Sequence, residues 1–153
     1  MSKPAVIPSE AVVPYAATLH VRDTCLCLHV QRAARALARR FDEVLRPAGL
    51  TNGQFSLLMS LNRPEPPGLG SVASLLAMDR TTLTAALKPL ERRGLLTIAE
   101  GAKDRRARVL SLTAEGHAVL ARALPIWTAE HARLDAELGG GAEGLRAGLR
   151  AIA

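Results

Sequence analysis

The stretch from Asp79 to Gly116, DRTTLTAALKPLERRGLLTIAEGAKDRRARVLSLTAEG, carries the pattern that decides the fold. Its first part predicts a helix over about 80–93, because leucines recur on one face while threonines and a lysine occupy the others. Asp79 stands where an N-cap is expected, and Gly94 stands where a residue with positive φ commonly ends a helix. The spacing therefore predicts one amphipathic helix with a polar outer face.

The residues around that helix complete a winged helix-turn-helix. A short helix capped by Ser71 precedes it, and a turn at Met78 joins the two helices. After the second helix the apolar residues alternate over 95–98 and again over 107–112, which predicts two strands joined by a polar hairpin tip. A helix-turn-helix followed by a basic β-hairpin is a winged helix.

Amphipathic helices flank this unit on both sides. Apolar residues at steps of three and four over 26–44 predict a first helix, and Thr51 with Gln54 forms the capping box of the next one. Thr113 caps a long last helix, in which Pro125 is expected to cause a kink. The last helix carries Val119, Leu120, Ala123, Ile126 or Trp127, Leu134 and Leu138 at its apolar positions, and a short helix with Leu145, Leu149 and Ile152 follows it.

The predicted fold class is mainly α with a small β-hairpin wing, a winged helix-turn-helix with N- and C-terminal dimerisation helices. The apolar stripes of the flanking helices exceed what a small winged-helix core can cover, and dimerisation is their natural use. We predict an N-terminal arm at 1–22 without sustained helical period, a dimerisation helix at 23–48, a winged helix-turn-helix DNA-binding core at 49–112 and C-terminal dimerisation helices at 113–153, in one intertwined domain.

The composition favours a polyanionic partner and gives little support for an enzyme. The 153 residues carry a net charge of +6, and arginine, which recognises phosphate and guanine with two parallel hydrogen bonds, outnumbers lysine 17 to 3. Aromatic residues make up only 3%, which weakens any interpretation based on base stacking. Because no phosphate-binding loop, nucleophile motif, metal-ligand spacing, leader or spanning segment is evident, we predict a cytoplasmic protein that is not an enzyme and holds no metal.

Basic residues concentrate in the predicted helix-turn-helix and wing. From Arg80 to Arg108, eight basic side chains stand against three acidic ones, a balance of +5. A helix fits the major groove and its first turns face the base edges. The candidate base-reading residues are therefore Arg80, Thr81, Thr82 and Thr84, while Lys88 and Ser71 suit backbone phosphates.

The wing tip supplies the second group of candidate DNA-binding residues. A narrow hairpin tip can reach the minor groove, whose negative potential favours inserted arginine. Arg105 and Arg106 fit that role, with Lys103 beside them. Asp104 is an acid among bases, so its expected role is to brace a neighbouring arginine.

Three segments resemble the MarR (multiple-antibiotic-resistance regulator) family. DRRARVLSLTAEG at 104–116 is similar to its wing signature, D-R-R followed by L-T-x-x-G. DRTTL at 79–83 with LERRGL at 90–95 is similar to its recognition helix, and LTNGQF at 50–55 to the start of its second helix. The order of the segments extends the resemblance over roughly residues 23–150.

The resemblance implies a homodimeric transcriptional regulator that binds pseudo-palindromic double-stranded DNA. It further implies a repressor that a small effector, often phenolic or aromatic, releases from DNA, and it makes Arg106 the foremost single DNA contact. Two departures bear on the recognition helix. Ala85 stands where many members carry arginine, and Pro89 is expected to interrupt the helix.

Two other hypotheses stay open. The first is a thiol-based redox sensor that acts through Cys27, which lies where the organic-hydroperoxide relatives place a reactive cysteine; Gln31 and Phe41 stand where those relatives have supporting tyrosines. The second is a winged-helix module for protein assembly. The one-signed cluster between Arg80 and Arg108 argues against the second hypothesis.

Overall fold

We obtained a computed structural model of the chain, and it describes residues 12–102, 104 and 107–152. Within these ranges the chain forms seven α-helices and one antiparallel β-hairpin, which confirms the predicted fold class. The elements are α1 (Tyr15–Thr24), α2 (Leu26–Leu45), α3 (Asn52–Leu61), α4 (Leu69–Leu75), α5 (Arg80–Arg92), β1 (Leu96–Glu100), β2 (Arg108–Leu112), α6 (Ala114–Glu137) and α7 (Ala142–Arg150). The chain divides into two compact units, the first ending at Leu37 and the second beginning at Ala38.

The first unit contains a helix that the sequence did not predict. Residues 1–22 were expected to form an arm without sustained helical period, but α1 occupies Tyr15–Thr24. Pro14 is its N-cap, with φ −60° and ψ 143°, which is an ordinary extended geometry for the residue before a helix. No residue of α1 is buried. A helix that packs no face against a core does not need regularly spaced apolar residues, so the sequence carries no helical period there.

The second unit packs its core almost entirely from aliphatic side chains. The fully buried ones come from the helix-turn-helix, the hairpin and the flanking helices: Leu45, Leu58, Val72, Leu83, Leu87, Leu90, Leu96 and Leu110. Burying each of these leucines contributes roughly 1.5–3 kcal/mol relative to leaving it exposed. The core therefore holds the recognition helix and the wing in one packed body.

The turn between α4 and α5 departs from the sequence prediction at one position. Ser71 was expected to cap the first helix, but the N-cap is Gly68, and Ser71 lies in the first turn of α4. Ala77 takes φ +50° in the turn, and the Met78 amide donates to the Ala73 carbonyl at 2.9 Å. This closes the turn tightly and directs the chain into α5.

Helix α5 begins and ends as the sequence predicts. Asp79 caps it by accepting from the Thr82 amide at 2.8 Å, and Gly94 follows its end with φ +70°. The expected interruption at Pro89 is wrong, because α5 continues through that residue to Arg92. A proline in the last turn costs the helix one amide donor without ending it.

The loop that precedes α4 pairs with the edge of the hairpin formed by β2. Strands β1 and β2 pair in register, with Leu96 opposite Leu112 and Glu100 opposite Arg108. Gly68 forms a bridge with Val109 on the other side of β2, and the Leu110 amide donates to the Pro67 carbonyl at 2.9 Å. The base of the wing is thereby fixed to the start of α4.

The junction between the hairpin and α6 brings backbone groups of the two elements into close contact. The Thr113 hydroxyl accepts from the Gly116 amide at 3.0 Å, as the predicted cap requires, and donates to the Gly94 carbonyl at 2.6 Å. The Thr113 amide donates to the Leu95 carbonyl at 3.1 Å. A Cβ on Gly116 would lie 2.0 Å from that same carbonyl oxygen, so only glycine fits there.

The C-terminal helices leave part of their apolar surface uncovered. Val119, Leu120 and Ala123 are buried as predicted, and α6 runs continuously through Pro125. Leu138, expected on the apolar face, is exposed, as are three residues at the end of the chain: Leu145, Leu149 and Ile152. No helix in the described ranges combines the length and apolar character that crossing a bilayer requires.

Gly116→Ala is expected to destabilise the protein by about 2 kcal/mol. The added methyl collides with backbone, so the cost lies at the upper end of the roughly 1–3 kcal/mol typical of overpacking and exceeds the gain in helix propensity of about 1 kcal/mol. Gly144→Ala is the matched control, because a Cβ there meets nothing within 4 Å. Urea unfolding should show a lower free energy of unfolding for Gly116→Ala and a slightly higher one for Gly144→Ala. Equal changes in the two variants would contradict the close contact at Gly116.

Candidate functional site

The described basic residues of the helix-turn-helix and hairpin form no ion pairs with other described residues, whereas those of the C-terminal helices do. On α6 and α7 all four arginines form ion pairs: Arg122 with Glu115, Arg133 with Glu130, Arg146 with Asp135 and Arg150 with Glu143. Among the described residues from 52 to 112, no basic side chain forms an ion pair; they are Arg63, Arg80, Lys88, Arg92, Arg93 and Arg108. Their charge is therefore available to a polyanion.

The outer face of α5 presents three of the four predicted base-reading residues, and the lysine predicted to bind phosphate, to solvent. Arg80, Thr81, Thr84 and Lys88 are all exposed, while the leucines of the opposite face are buried. The face is free to enter a groove because packing uses only the other side of the helix. The structure thus brings these four predicted residues together on one surface.

The three threonines of α5 differ in their hydrogen bonds. The Thr82 hydroxyl donates to the Asp79 carboxylate at 2.5 Å, and the Thr84 hydroxyl donates to the Arg80 carbonyl at 2.7 Å. The Thr82 hydroxyl, together with its amide, lowers the pKa of Asp79 and keeps the capping carboxylate ionised. The Thr81 hydroxyl has no partner in the described part of the chain, so it alone can both donate to and accept from a base edge.

Ser71 lies at the surface in contact with an arginine that the sequence analysis did not select. The Arg63 guanidinium donates to the Ser71 hydroxyl at 3.0 Å and to the Ser60 carbonyl at 2.9 Å. Arg63 follows α3 and precedes a proline-rich loop, so no helical period marks it. The eight-residue separation between Arg63 and Ser71 gives no signal that their side chains meet.

The wing candidates are only partly described. Lys103, Arg105 and Arg106 lie outside the described residues, and their placement stays a sequence-based prediction. Asp104 and Arg108 are exposed. They line an open cleft of about 330 Å³ together with Arg80 and the start of α4. The start of α5, the start of α4 and the tip end of the hairpin therefore line one cleft.

A separate aromatic cluster lies between α3, α6 and the end of α2. The Trp127 ring lies 5.9 Å from Phe55 and 4.2 Å from His131, and Phe41 lies 5.0 Å from His131. Phe41 and Phe55 are buried, whereas Trp127 and His131 are half-buried. Burial lowers the pKa of His131, so the imidazole is neutral at neutral pH.

Ion pairs hold α6 against α2 beside that cluster. The buried carboxylate of Glu130 accepts from Arg40 at 2.5 Å, and Glu137 accepts from the same guanidinium at 2.6 Å. The Arg40 guanidinium lowers the pKa of both carboxyls. This network fixes the separation of the two helices where the aromatic rings meet.

The described residues hold no group of three or more histidine, cysteine, aspartate or glutamate side chains that could bind a metal ion. Cys27 is exposed and Cys25 is half-buried, and both thiols are free. The His29 imidazole contacts the Cys25 carbonyl at 2.8 Å through Nδ1, which uses that nitrogen in a helical contact.

Several solved structures and curated proteins that are similar to this chain are transcriptional regulators. The family model described as "MarR family" matches residues 50–107. The Mycobacterium tuberculosis transcriptional regulator MosR, solved in complex with DNA, is 34% identical; the match covers 84% of this chain and 98% of that chain with a TM-score of 0.70. The transcriptional repressor CouR, solved on a 23-mer DNA duplex, is 33% identical over 84% of this chain and 92% of that chain, with a TM-score of 0.76.

A curated relative from Bacillus subtilis, the organic hydroperoxide resistance transcriptional regulator, is 28% identical over 66% of this chain and 69% of its own length. Fold and surface define the class of a winged helix-turn-helix DNA-binding protein. The chain belongs to the MarR family, and it is a MarR-type DNA-binding transcriptional regulator.

Proposed function

We propose that this protein is a homodimeric repressor that binds a pseudo-palindromic operator in double-stranded DNA and leaves it when a small aromatic effector binds. The observation that carries the proposal is the distribution of ion pairs. Arginines on α6 and α7 are neutralised within the chain, whereas Arg80, Lys88 and Arg108 are exposed and have no acidic partner among residues 12–102, 104 and 107–152. Such cations release counterions when they meet phosphates, which supplies much of the affinity for DNA.

The DNA contacts divide by groove. Arg80 and Thr81 at the start of α5 read base edges in the major groove, with Thr82 and Thr84 offering their oxygens as acceptors and their methyl groups to thymine. Ser71 and Lys88 bind phosphates. At the wing tip, Arg105 and Arg106 enter the minor groove, Lys103 adds charge, and Asp104 braces an arginine. Two copies place their recognition helices in major grooves about 34–36 Å apart.

Selection from a random duplex library tests the proposal, with affinity read by fluorescence anisotropy across a series of salt concentrations. We expect an enriched inverted repeat, and we expect log affinity to fall by about 0.9 per log unit of salt for each phosphate neutralised. Binding without enrichment would contradict sequence-specific regulation. A folded protein that binds no duplex at low salt would favour the protein-assembly hypothesis instead.

Arg106→Ala is expected to weaken binding to the selected operator by more than about 1 kcal/mol, because it removes a minor-groove cation. The control is Arg122→Ala, which removes an equal charge from α6, where Arg122 is paired with Glu115. Anisotropy titrations of both variants against the wild type measure the difference. Unchanged affinity in a folded Arg106→Ala variant would contradict the assignment of the wing.

Dimerisation is supported by the apolar residues that remain exposed. In the second unit, Leu145, Leu149 and Ile152 recur at steps of four and three near the end of the chain, and Leu138 precedes them. In the first unit, Tyr15, Val21 and Leu26 are exposed. A helix with one apolar face normally buries it, and a second copy of the chain provides an equivalent surface. The predicted dimerisation segments, 23–48 and 113–153, contain most of these residues.

Leu145→Glu combined with Leu149→Glu is expected to destabilise the dimer by at least about 3 kcal/mol, from the loss of roughly 1.5–3 kcal/mol for each buried leucine. Sedimentation velocity should then show a monomer at concentrations where the wild type is a dimer. Leu75→Glu serves as the control, because Leu75 is equally apolar and 62% exposed but lies on α4. A double variant that stays dimeric would rule out α7 as the interface.

An aromatic effector is supported by the cluster of Phe41, Phe55, Trp127 and His131. The two half-buried members offer ring edges that a flat aromatic group can contact. CouR has also been solved with p-coumaroyl-CoA, in a structure 31% identical over 84% of this chain and 91% of that chain, with a TM-score of 0.75. We infer an effector of that chemical class, an aromatic acid or its thioester.

Trp127 is the single tryptophan, so its fluorescence reports on that cluster. We expect saturable quenching by p-coumarate or p-coumaroyl-CoA, and loss of operator binding over the same concentration range. Trp127→Phe should lose the fluorescence signal. Whether the ligand still releases this variant from the operator shows whether the indole ring is needed for the response. Coenzyme A alone is the ligand control. Quenching that does not saturate, together with unchanged operator binding, would rule out this class of effector.

The thiol hypothesis has less support. Cys27 is exposed, which oxidation requires, and the Bacillus subtilis relative is named for organic hydroperoxide resistance. However, the side chain at position 31 is an amide that accepts from Arg35 at 3.3 Å, and the side chain at 41 is a buried phenylalanine. Neither supplies a hydroxyl to a thiolate at Cys27.

A further inference from the structure

Arg63 is a basic residue outside every element that the proposed function uses. Its Nε donates to the Ser60 carbonyl at 2.9 Å, and its Nη1 donates to the Ser71 hydroxyl at 3.0 Å. Ser60 lies in the last turn of α3, where carbonyls lack helical partners and a cation is favoured. Two neutral groups thus hold the guanidinium in place, and neither of them cancels its charge.

The fixed guanidinium keeps donors for a further ligand. A guanidinium has five N–H donors, and the two contacts with Ser60 and Ser71 leave the other three. Arg63 is exposed and forms no ion pair with any acid in the described ranges. The remaining donors, one on Nη1 and two on Nη2, are charged groups that can donate to phosphate oxygens.

The contact with Arg63 also determines whether the Ser71 hydroxyl donates or accepts a further hydrogen bond. The Ser71 oxygen accepts from Nη1, so its own proton points away from the guanidinium. An exposed hydroxyl in that state is a donor to an incoming oxygen. Arg63 and Ser71 therefore both offer hydrogen-bond donors to a ligand that binds beside them.

A second guanidinium, that of Arg80, approaches the residue that precedes Ser71. Arg80 packs over Gly70, where a Cβ would come within 3.2 Å of its Nη2. Gly70 and Ser71 are consecutive, so Arg63 and Arg80 approach neighbouring residues of one short segment. Asp104 is the carboxylate that lines the cleft beside Arg80, and it lies on the wing side.

We propose that Arg63 is a phosphate-binding residue of the DNA interface and that it positions Ser71 as a donor to the same backbone phosphate, next to the site of Arg80. The proposal rests on the proposed function, because it presumes that this surface binds duplex DNA. It adds a contact from the end of α3. The contact is to the backbone, so it contributes equally to every DNA sequence.

The test compares Arg63→Gln with Arg122→Gln, which removes the same charge from an exposed arginine of α6. Each variant is titrated with a selected operator and with a random duplex over a range of salt. Arg63→Gln should lower the magnitude of the salt slope by about 0.9 on both duplexes. Arg122→Gln should leave the slope unchanged. If the two variants behave alike, Arg63 acts only through net charge and the proposal is overturned.

Ser71→Ala and the double variant test the coupling between the two side chains. We expect Ser71→Ala to weaken binding several-fold in the wild type and to have little further effect in Arg63→Gln, because the serine loses its orientation with the arginine. Additive effects would overturn the positioning role. Should the wild type itself bind no duplex with a salt-dependent affinity, the proposed function fails; a binding wild type with an unaffected Arg63→Gln variant refutes the Arg63 proposal alone.

Discussion

The packing of Gly116 against the Leu95 carbonyl is the constraint on which the rest of the second unit depends. That carbonyl also accepts from the Thr113 amide, and the Thr113 hydroxyl bonds the Gly94 carbonyl, so the end of the recognition helix and the start of α6 share one set of backbone contacts. Backbone groups at this separation have no rotamers to adjust. Backbone hydrogen bonds and the close approach at Gly116 therefore restrain the orientation of α6 relative to the end of α5.

The distribution of charge follows the same division between scaffold and reading surface. On α6 and α7 each arginine is paired with a carboxylate, and Arg40 bridges α2 to Glu130 and Glu137. Pairs of this kind contribute modestly to stability at an exposed surface, but they remove long-range positive potential from the helices that carry them. The cations that stay unpaired among the described residues include Arg80, Lys88 and Arg108 on the helix-turn-helix and hairpin, and Arg32 and Arg39 on α2. The helix-turn-helix and hairpin thus offer a polyanion cations that no carboxylate of the described residues neutralises, within a chain whose net charge is +6.

Local signals predicted much of this structure, and long-range contacts account for what they missed. The caps at Thr51, Asp79 and Thr113 were predictable because each is decided within four residues. The Gly68 cap was missed because the loop before α4 is held by pairing with β2, about forty residues further on. Helix α1 buries nothing and leaves no apolar period. The contact of Arg63 with Ser71 joins the start of a loop to the helix that follows the loop, which no periodicity encodes.

Helix α3 connects the aromatic cluster with the proposed DNA-binding surface, which are the two sites that the proposed release by an effector would couple. Phe55, near its start, belongs to the aromatic cluster with Trp127, and Ser60, in its last turn, holds Arg63. A ligand that changes the position of Trp127 acts on a helix only ten residues long, whose far end anchors a cation at the proposed DNA surface. To change the ratio of DNA-binding to non-binding conformations from 99:1 to 1:99, an effector must bind the non-binding conformation about 10⁴-fold more tightly than the other. One aromatic ligand that contacts both Phe55 on α3 and Trp127 on α6 would interact with two packed helices, and both sets of contacts could contribute to that difference in affinity. Helix α6 also carries the Gly116 junction.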